Sequence, residues 1–296
     1  KILECFVYFI LKILSILPRK VQFFLGRFLG VIFFMSFKER REISRWNLKK
    51  CFPEKSETEI NSILKRSFIR LGESLFEFLN AFWASNKKLK KLIINFNDIE
   101  KTTKNLNPSK GKLILFMHTP NLDLVVRTAS LFMPVSGMAR PQSNKIVDNL
   151  FKASRKKFTE RIFNPKEILE LLNYLKIGKA CLYAPDQDYG YKNSIFVNFF
   201  GHKALTVKFP YIAKRRANCD VFLFSLEKKG FKYKAYLERL LLDGEDMEKD
   251  LNQINHKIEE FISRHPENYL WSHRRFKNRP KGEESFYPQD LLRRGG

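Results

Sequence analysis

The stretch "KLILFMHTPNLDL", residues 112–124, decides how the rest of the chain is read. Its first six residues are almost continuously apolar, the length and pattern of a short strand buried on both faces. His118 follows, and five residues later comes Asp123. Between them stand Thr119, a helix-capping residue type, and Pro120, a favoured first helical residue. A strand is therefore expected to hand over to a helix at Pro120. With His118 in the turn and Asp123 in the first helical turn, the carboxylate can reach back to one imidazole nitrogen. The other nitrogen is then left to take a proton from a hydroxyl, and the free amides at the helix start can steady an oxyanion. Taken alone, the same spacing also fits an ordinary strand-to-helix turn with a structural histidine.

The alternation continues downstream. "MPVSGMA" (133–139) and "KACLYA" (179–184) read as strands. "NKIVDNLFKASRKKF" (144–158) and "PKEILELLNYLKIG" (165–178) read as helices, the second with Pro165 at its start and Gly178 past its end. "VFLFSLEKKGFKYKAYLERL" (221–240) reads as two strands joined by a Gly-containing turn, and "DMEKDLNQINHKIEEFISRHP" (246–266) as the last long helix. Strands alternating with helices argue an α/β domain whose central sheet is mostly parallel and flanked by helices. In such sheets the working residues gather beyond the carboxyl ends of the strands. His118 and the "PDQDYG" segment (185–190) both follow strands, so they belong to one rim.

Upstream the chain is helical in pattern. "SETE" (56–59) is a capping box. It opens a stripe of Ile60, Ile63, Leu64, Phe68, Leu71, Leu75, Phe78, Leu79 and Phe82 at spacings of three and four. The first 37 residues hold two apolar runs. One is interrupted by Glu4 and Lys12 and closed by Pro18; the other is interrupted by Arg27 and bordered by "KERR" at 38–41. Neither reaches the ~20 clean apolar residues that span a bilayer, and no small-residue cleavage site follows. Residues 1–37 are expected to be a membrane-anchoring or interfacial helical segment, with two buried core helices as the alternative. Residues 38–290 are expected to be the α/β domain. The tail "RRGG" is expected to be loose.

Composition narrows the partners. Hydrophobic residues make up 44% of the 296, so the chain folds. Lys and Arg number 55 against 31 Asp and Glu, a net charge of +24 spread along the chain. That excess calls for anionic partners: nucleic acid, an anionic membrane, or an acidic protein or substrate. Cys5, Cys51, Cys181 and Cys219 show no metal-binding spacing and read as reduced thiols in a cytoplasmic setting. Nucleotide-binding glycine loops, the Ser nucleophile elbow and the H-E-x-x-H zinc motif are all absent from the sequence. The five His are far apart, so neither metal nor cofactor is expected.

Several blocks in order resemble a known family. "HTPNLD" (118–123) fits the His, four residues, acidic motif of the glycerolipid acyltransferase superfamily. "ARPQSNKIVDNLFKASRKKF" (139–158), "YAPDQDYGYKNSIFVNFFG" (183–201), "YLWSHRRFKNRPKGEESFY" (269–287) and "NLKKCFPEKSETE" (47–59) resemble blocks of the lipid A late acyltransferases. The resemblance implies an enzyme at the cytoplasmic face of the inner membrane. It would move a fatty acyl chain from acyl-carrier protein to a hydroxyl of a phosphorylated, Kdo-bearing lipid A precursor. It implies His118 as general base and Asp123 as its partner, and it carries over Arg140, Arg155 and Asp186. Ala139 and Asp123 depart from the Tyr and Glu that close members often have, which bears on acceptor or chain length. Asp188, Arg274 and Arg275 join the candidate substrate-binding set. The two arginines could bind phosphate or pair with Asp186 or Asp188 to build the site floor, and a mostly structural role is the expectation for both. Acyl-carrier protein, the lipid precursor and anionic lipids would all suit a +24 surface, so nucleic acid is not expected. Two alternatives share part of the evidence: a glycerol-phosphate type acyltransferase, and a non-enzymatic basic module.

Overall fold

The computed structural model describes residues 2–140 and 144–292. Pro141 to Ser143 of the second motif block and the "RRGG" tail lie outside the described residues.

Four helices open the chain: α1 (Ile2–Ile16), α2 (Arg19–Ser36), α3 (Lys38–Cys51) and α4 (Glu57–Trp83). The capping box at α4 forms as expected: Ser56 Oγ accepts from Glu59 N at 3.3 Å, and Glu59 Oε2 accepts from Ser56 N at 2.9 Å. Two short helices, α5 (Asn86–Lys90) and α6 (Phe96–Lys104), lead to β1 (Lys112–Leu115). Then come α7 (Leu122–Ala129), β2 (Ser136–Met138), α8 (Lys145–Arg155), β3 (Ile162–Phe163), α9 (Ile168–Lys176) and β4 (Ala180–Tyr183). A hairpin of β5 (Ser194–Phe199) and β6 (His202–Val207) precedes α10 (Phe209–Ala217). The chain closes with β7 (Asp220–Lys229), β8 (Lys232–Leu240), α11 (Met247–Arg264) and α12 (Gln289–Leu292).

Among the described residues, six strands form one sheet in the order β3-β2-β4-β1-β7-β8. All neighbours run parallel except the β7–β8 hairpin at one edge. The continuous apolar run at 112–117 is explained by its place in the middle of this sheet. Leu113, Leu115 and Met117 pack into one core with α9, α10 and α11, while Ile114 and Phe116 pack into the other with α6 and α7. A strand covered on both faces has no polar side to alternate with. The β5–β6 hairpin is not among the strands expected from the sequence. Its two-residue turn places Phe200 and Gly201 at φ 48° and 75°, the primed geometry that suits a hairpin.

Two helix starts differ from expectation. α7 begins at Leu122, not Pro120, because Pro120 first closes a turn in which Leu122 N donates to Thr119 O at 3.1 Å. Thr119 does not cap; its buried Oγ1 has no partner among the described residues. α9 begins at Ile168, not Pro165, because a turn at 164–167 intervenes, with Glu167 N donating to Asn164 O.

The N-terminal helices are packed against α4. Gly26 and Gly30 of α2 meet Gly72 of α4 backbone to backbone, and a Cβ placed on Gly72 would lie 2.2 Å from Gly26 O. Beside this crossing, buried Glu73 and Glu77 of α4 bind Lys228 and Tyr233 of the β7–β8 hairpin. Arg19 at the head of α2 also reaches Tyr233 Oη, at 3.1 Å. The outward face of α1 and α2 is apolar and exposed, with Phe6, Phe9, Phe24, Phe28 and Met35 all more than half accessible. Among the described residues no single helix is long and apolar enough to cross a bilayer. α2 and α3, bent by 91° at their junction, satisfy length and composition only as a pair.

Candidate active site

β1 and β4 are parallel neighbours in register, with Leu115 opposite Tyr183. His118 and Asp186 each stand three residues beyond that pair, so the two loops deliver them to the same level at the carboxyl rim. Asp186 is wholly buried and grips His118 twice. Its Oδ2 accepts from His118 N at 2.9 Å, and its Oδ1 lies 2.7 Å from His118 Nδ1. A carboxylate can only accept here, so Nδ1 carries the proton and Nε2 is free as a base. Burial alone would raise the Asp186 pKa. The His118 ring and amide, with Arg275 nearby, outweigh it and hold the carboxyl below its ordinary range.

Asp123 does not orient His118 in this structure. Its Oδ1 accepts from Arg155 Nε and Nη2, both at 3.1 Å. Burial pushes the Asp123 carboxyl up, and Arg155 only partly offsets that. The reason is geometric: α7 starts two residues later than expected, and the Asp123 side chain faces α8.

His118 lines a cavity of about 510 Å3 whose walls are largely apolar, among them Phe116, Leu122, Val126, Ile168, Leu182 and Ile212. Arg140 and Arg155 line it too. The Arg140 guanidinium lies 4.7 Å from the Tyr189 ring centroid. Burial, with Asp186 nearby, pushes the Tyr189 hydroxyl up to about 12. Among the described residues no group of three or more His, Cys, Asp or Glu converges to hold a metal. Cys51, Cys181 and Cys219 are free and buried, and burial pushes the Cys181 thiol far up.

The remaining candidates do not line the cavity. Asp188 Oδ1 accepts from Gly190 N and Asn278 Nδ2, both at 2.9 Å, and so ties the "PDQDYG" loop to the C-terminal segment. Arg274 binds Leu291 O at 2.7 Å and Glu39 at 2.6 Å. Arg275 is almost fully buried; it donates to Leu205 O and, at 2.7 Å, to Thr206 Oγ1. Neither of these two arginines lines the cavity.

The sequence reading missed how the C-terminal block supports the site. Leu270 N donates to His118 O at 3.0 Å, and Tyr269 Oη to Asp186 O at 3.3 Å. His273 Nε2 accepts from Asp188 N at 3.2 Å. Burial, with Arg275 beside it, holds His273 down to about 4, so it stays neutral and able to accept. The "NLKKCFP" block braces this support in turn. Asn47 Nδ2 donates to Trp271 O at 2.7 Å and to His273 O at 2.9 Å. The hint available in the sequence was that polar Asn47 and His273 sit within otherwise apolar or basic motifs.

Comparison with known proteins agrees with this architecture. A family described as "Bacterial lipid A biosynthesis acyltransferase" matches residues 1–278. The chain is 32% identical to a lipid A biosynthesis palmitoleoyltransferase of Escherichia coli (strain K12), over 92% of this chain and 90% of that protein. It is 30% identical to the lipid A biosynthesis lauroyltransferase of the same organism, again over 92% and 90%. To the corresponding myristoyltransferase it is 25% identical, over 90% and 83%. With its whole described sheet and both strand-end loops inside the matched region, the chain belongs to the bacterial lipid A biosynthesis acyltransferases, a family of enzymes.

Proposed function

We propose that the protein transfers a fatty acyl chain from acyl-carrier protein to a hydroxyl of a phosphorylated, Kdo-bearing lipid A precursor, at the cytoplasmic face of the inner membrane. The observation that carries this reading is His118, held by Asp186, at the wall of an apolar cavity edged by arginines. The apolar walls suit an acyl chain, and the arginines suit phosphate.

In the proposed reaction Nε2 of His118 takes the proton of the acceptor hydroxyl while Asp186 stabilises the imidazolium that forms. The acceptor oxygen attacks the thioester carbonyl, forming the new C–O bond. The C–S bond then breaks, and the departing thiolate takes the proton back from His118. A thioester is already activated, so no acyl-enzyme is needed. The burial of Cys181 within β4 supports that, since its thiolate would be costly to form. Asp123 acts one step away by holding Arg155 at the cavity wall. Arg140 and Arg155 are proposed acceptor contacts.

The exposed Phe and Met side chains of α1 and α2 support an interfacial seat in the membrane, with the basic surface attracting anionic lipid. The test is incubation with acyl-carrier protein carrying defined chains and the Kdo-bearing tetra-acyl precursor. A product heavier by one acyl group is expected, and no acyl adduct on the protein when the donor is added alone. A stoichiometric adduct that turns over at the catalytic rate would contradict the single displacement.

A further inference from the structure

The charge on the cavity wall is one-sided. Among the described residues Arg140, Arg155 and Lys208 line it, and neither Asp nor Glu does. The two acids behind the wall are already engaged, Asp123 with Arg155 and Asp186 with His118. Lys208 has no carboxylate within ion-pair reach among the described residues, and Arg140 has only the face of Tyr189. Lys208 is also held in place. It stands directly before α10, its amide donates to Asn193 O at 2.9 Å, and its carbonyl accepts from Ile212 N at 3.0 Å. Its neighbours Val207 and Phe209 are buried and line the same cavity. Lys208 is half-buried as a residue and lines the cavity, so an anion brought by a ligand into that cavity would meet an unpaired cation.

We infer that Lys208 is a substrate contact that, with Arg140, takes a phosphate group. Two cations lining one cavity, with no Asp or Glu among its described lining residues, suit a phosphate monoester, whose charge approaches −2, better than a carboxylate. The acyl-transfer reading supplies two phosphates: a monoester on the sugar acceptor and the diester that links the donor's thiol arm to its carrier. The inference rests on that reading only for which of these is bound.

The experiment compares Lys208→Gln with wild type, with Arg216→Gln on the exposed side of α10 as the charge-matched control. Lys208→Gln is expected to raise the KM for the phosphorylated acceptor about tenfold or more, the scale of one charged hydrogen bond. It should leave the KM for the same acceptor stripped of phosphate unchanged, and Lys208→Arg should recover much of the loss. A rise confined to the donor's KM would also support a phosphate contact, and would place it on the carrier arm. Unchanged KM for both substrates, or an equal rise with the stripped acceptor, overturns the inference. Calorimetry with decyl phosphate and decanol gives a second reading without turnover. Wild type should prefer the phosphate and Lys208→Gln should lose that preference; equal preference in both proteins overturns the inference. An inactive wild type that binds decyl phosphate through Lys208 would count against the acyl-transfer reading alone.

Discussion

Two buried carboxylates stand behind the cavity, one in the loop after β4 and one in the first turn of α7, and they are not equivalent. Asp186 receives the His118 amide and ring and feels Arg275, and these together overcome the effect of burial. Asp123 receives only Arg155, and there burial wins. One acid is held ionised against an imidazole; the other fixes a guanidinium at the cavity wall. Asp123 is five residues from His118 in sequence and Asp186 is 68, yet it is Asp186 that meets the ring. Strand register, not sequence distance, makes the partner.

The largest effect expected is that of His118→Ala. Loss of a general base should cost ~10²–10⁴-fold in kcat, with the far-ultraviolet spectrum still that of the folded protein. Asp186→Asn should follow closely, at about 10²-fold or more, because the amide can no longer hold the same tautomer or stabilise the imidazolium. Kinetics in which Asp186→Asn behaves like wild type would erase the contrast between the two acids.

Asp123→Asn should be milder and of another kind. With Arg155 released, the KM for acceptor should rise by roughly tenfold, the scale of one charge-assisted contact, while kcat stays within a few-fold. If kcat collapses and KM holds, Asp123 belongs to the proton relay and not to the cavity wall.

The smallest effect is on stability against pH. His273 titrates near 4 in the folded protein, below its ordinary value of about 6.5. Between those values the unfolded chain holds the extra proton, so stability is fully present above pH 6.5 and falls as the pH drops toward 4. Arg275, Asp186, His118 and Asp188 are the charged or titratable groups that face it. His273→Gln keeps an acceptor for Asp188 N and should flatten this slope, read as the shift in urea midpoint between pH 7 and pH 5. A slope identical to wild type would show that His273 is not the group being titrated.

Much of the architecture was legible in the chain. The continuous apolar run at 112–117 announced a strand buried on both faces, and "SETE" announced the start of α4. Both rim segments were placed together because each follows a strand. Strand order was not legible. Nothing local says that β4 lies beside β1 while β2 lies beyond it, and that order is what sets Asp186 opposite His118. The late start of α7 was hidden because Pro120 serves a turn as readily as a helix. A structural role for Arg274 and Arg275 was legible in "HRRF", but not the partners: the packed structure supplies Glu39, Leu205 and Thr206 where Asp186 or Asp188 was expected. Lys208, in turn, looked like one of many lysines until the fold set it on the cavity.

The central claim is that His118 and Asp186 act as one unit, and a double-mutant cycle on kcat/KM tests it most directly. His118→Ala, Asp186→Asn and the double variant are compared, with Asp123→Asn as the parallel arm. Residues that work through one proton are strongly non-additive. The double variant should therefore be no slower than His118→Ala, while Asp123→Asn combined with His118→Ala adds its own separate loss. Losses that multiply for His118 with Asp186 and merge for His118 with Asp123 would contradict the account and return the partnership to Asp123.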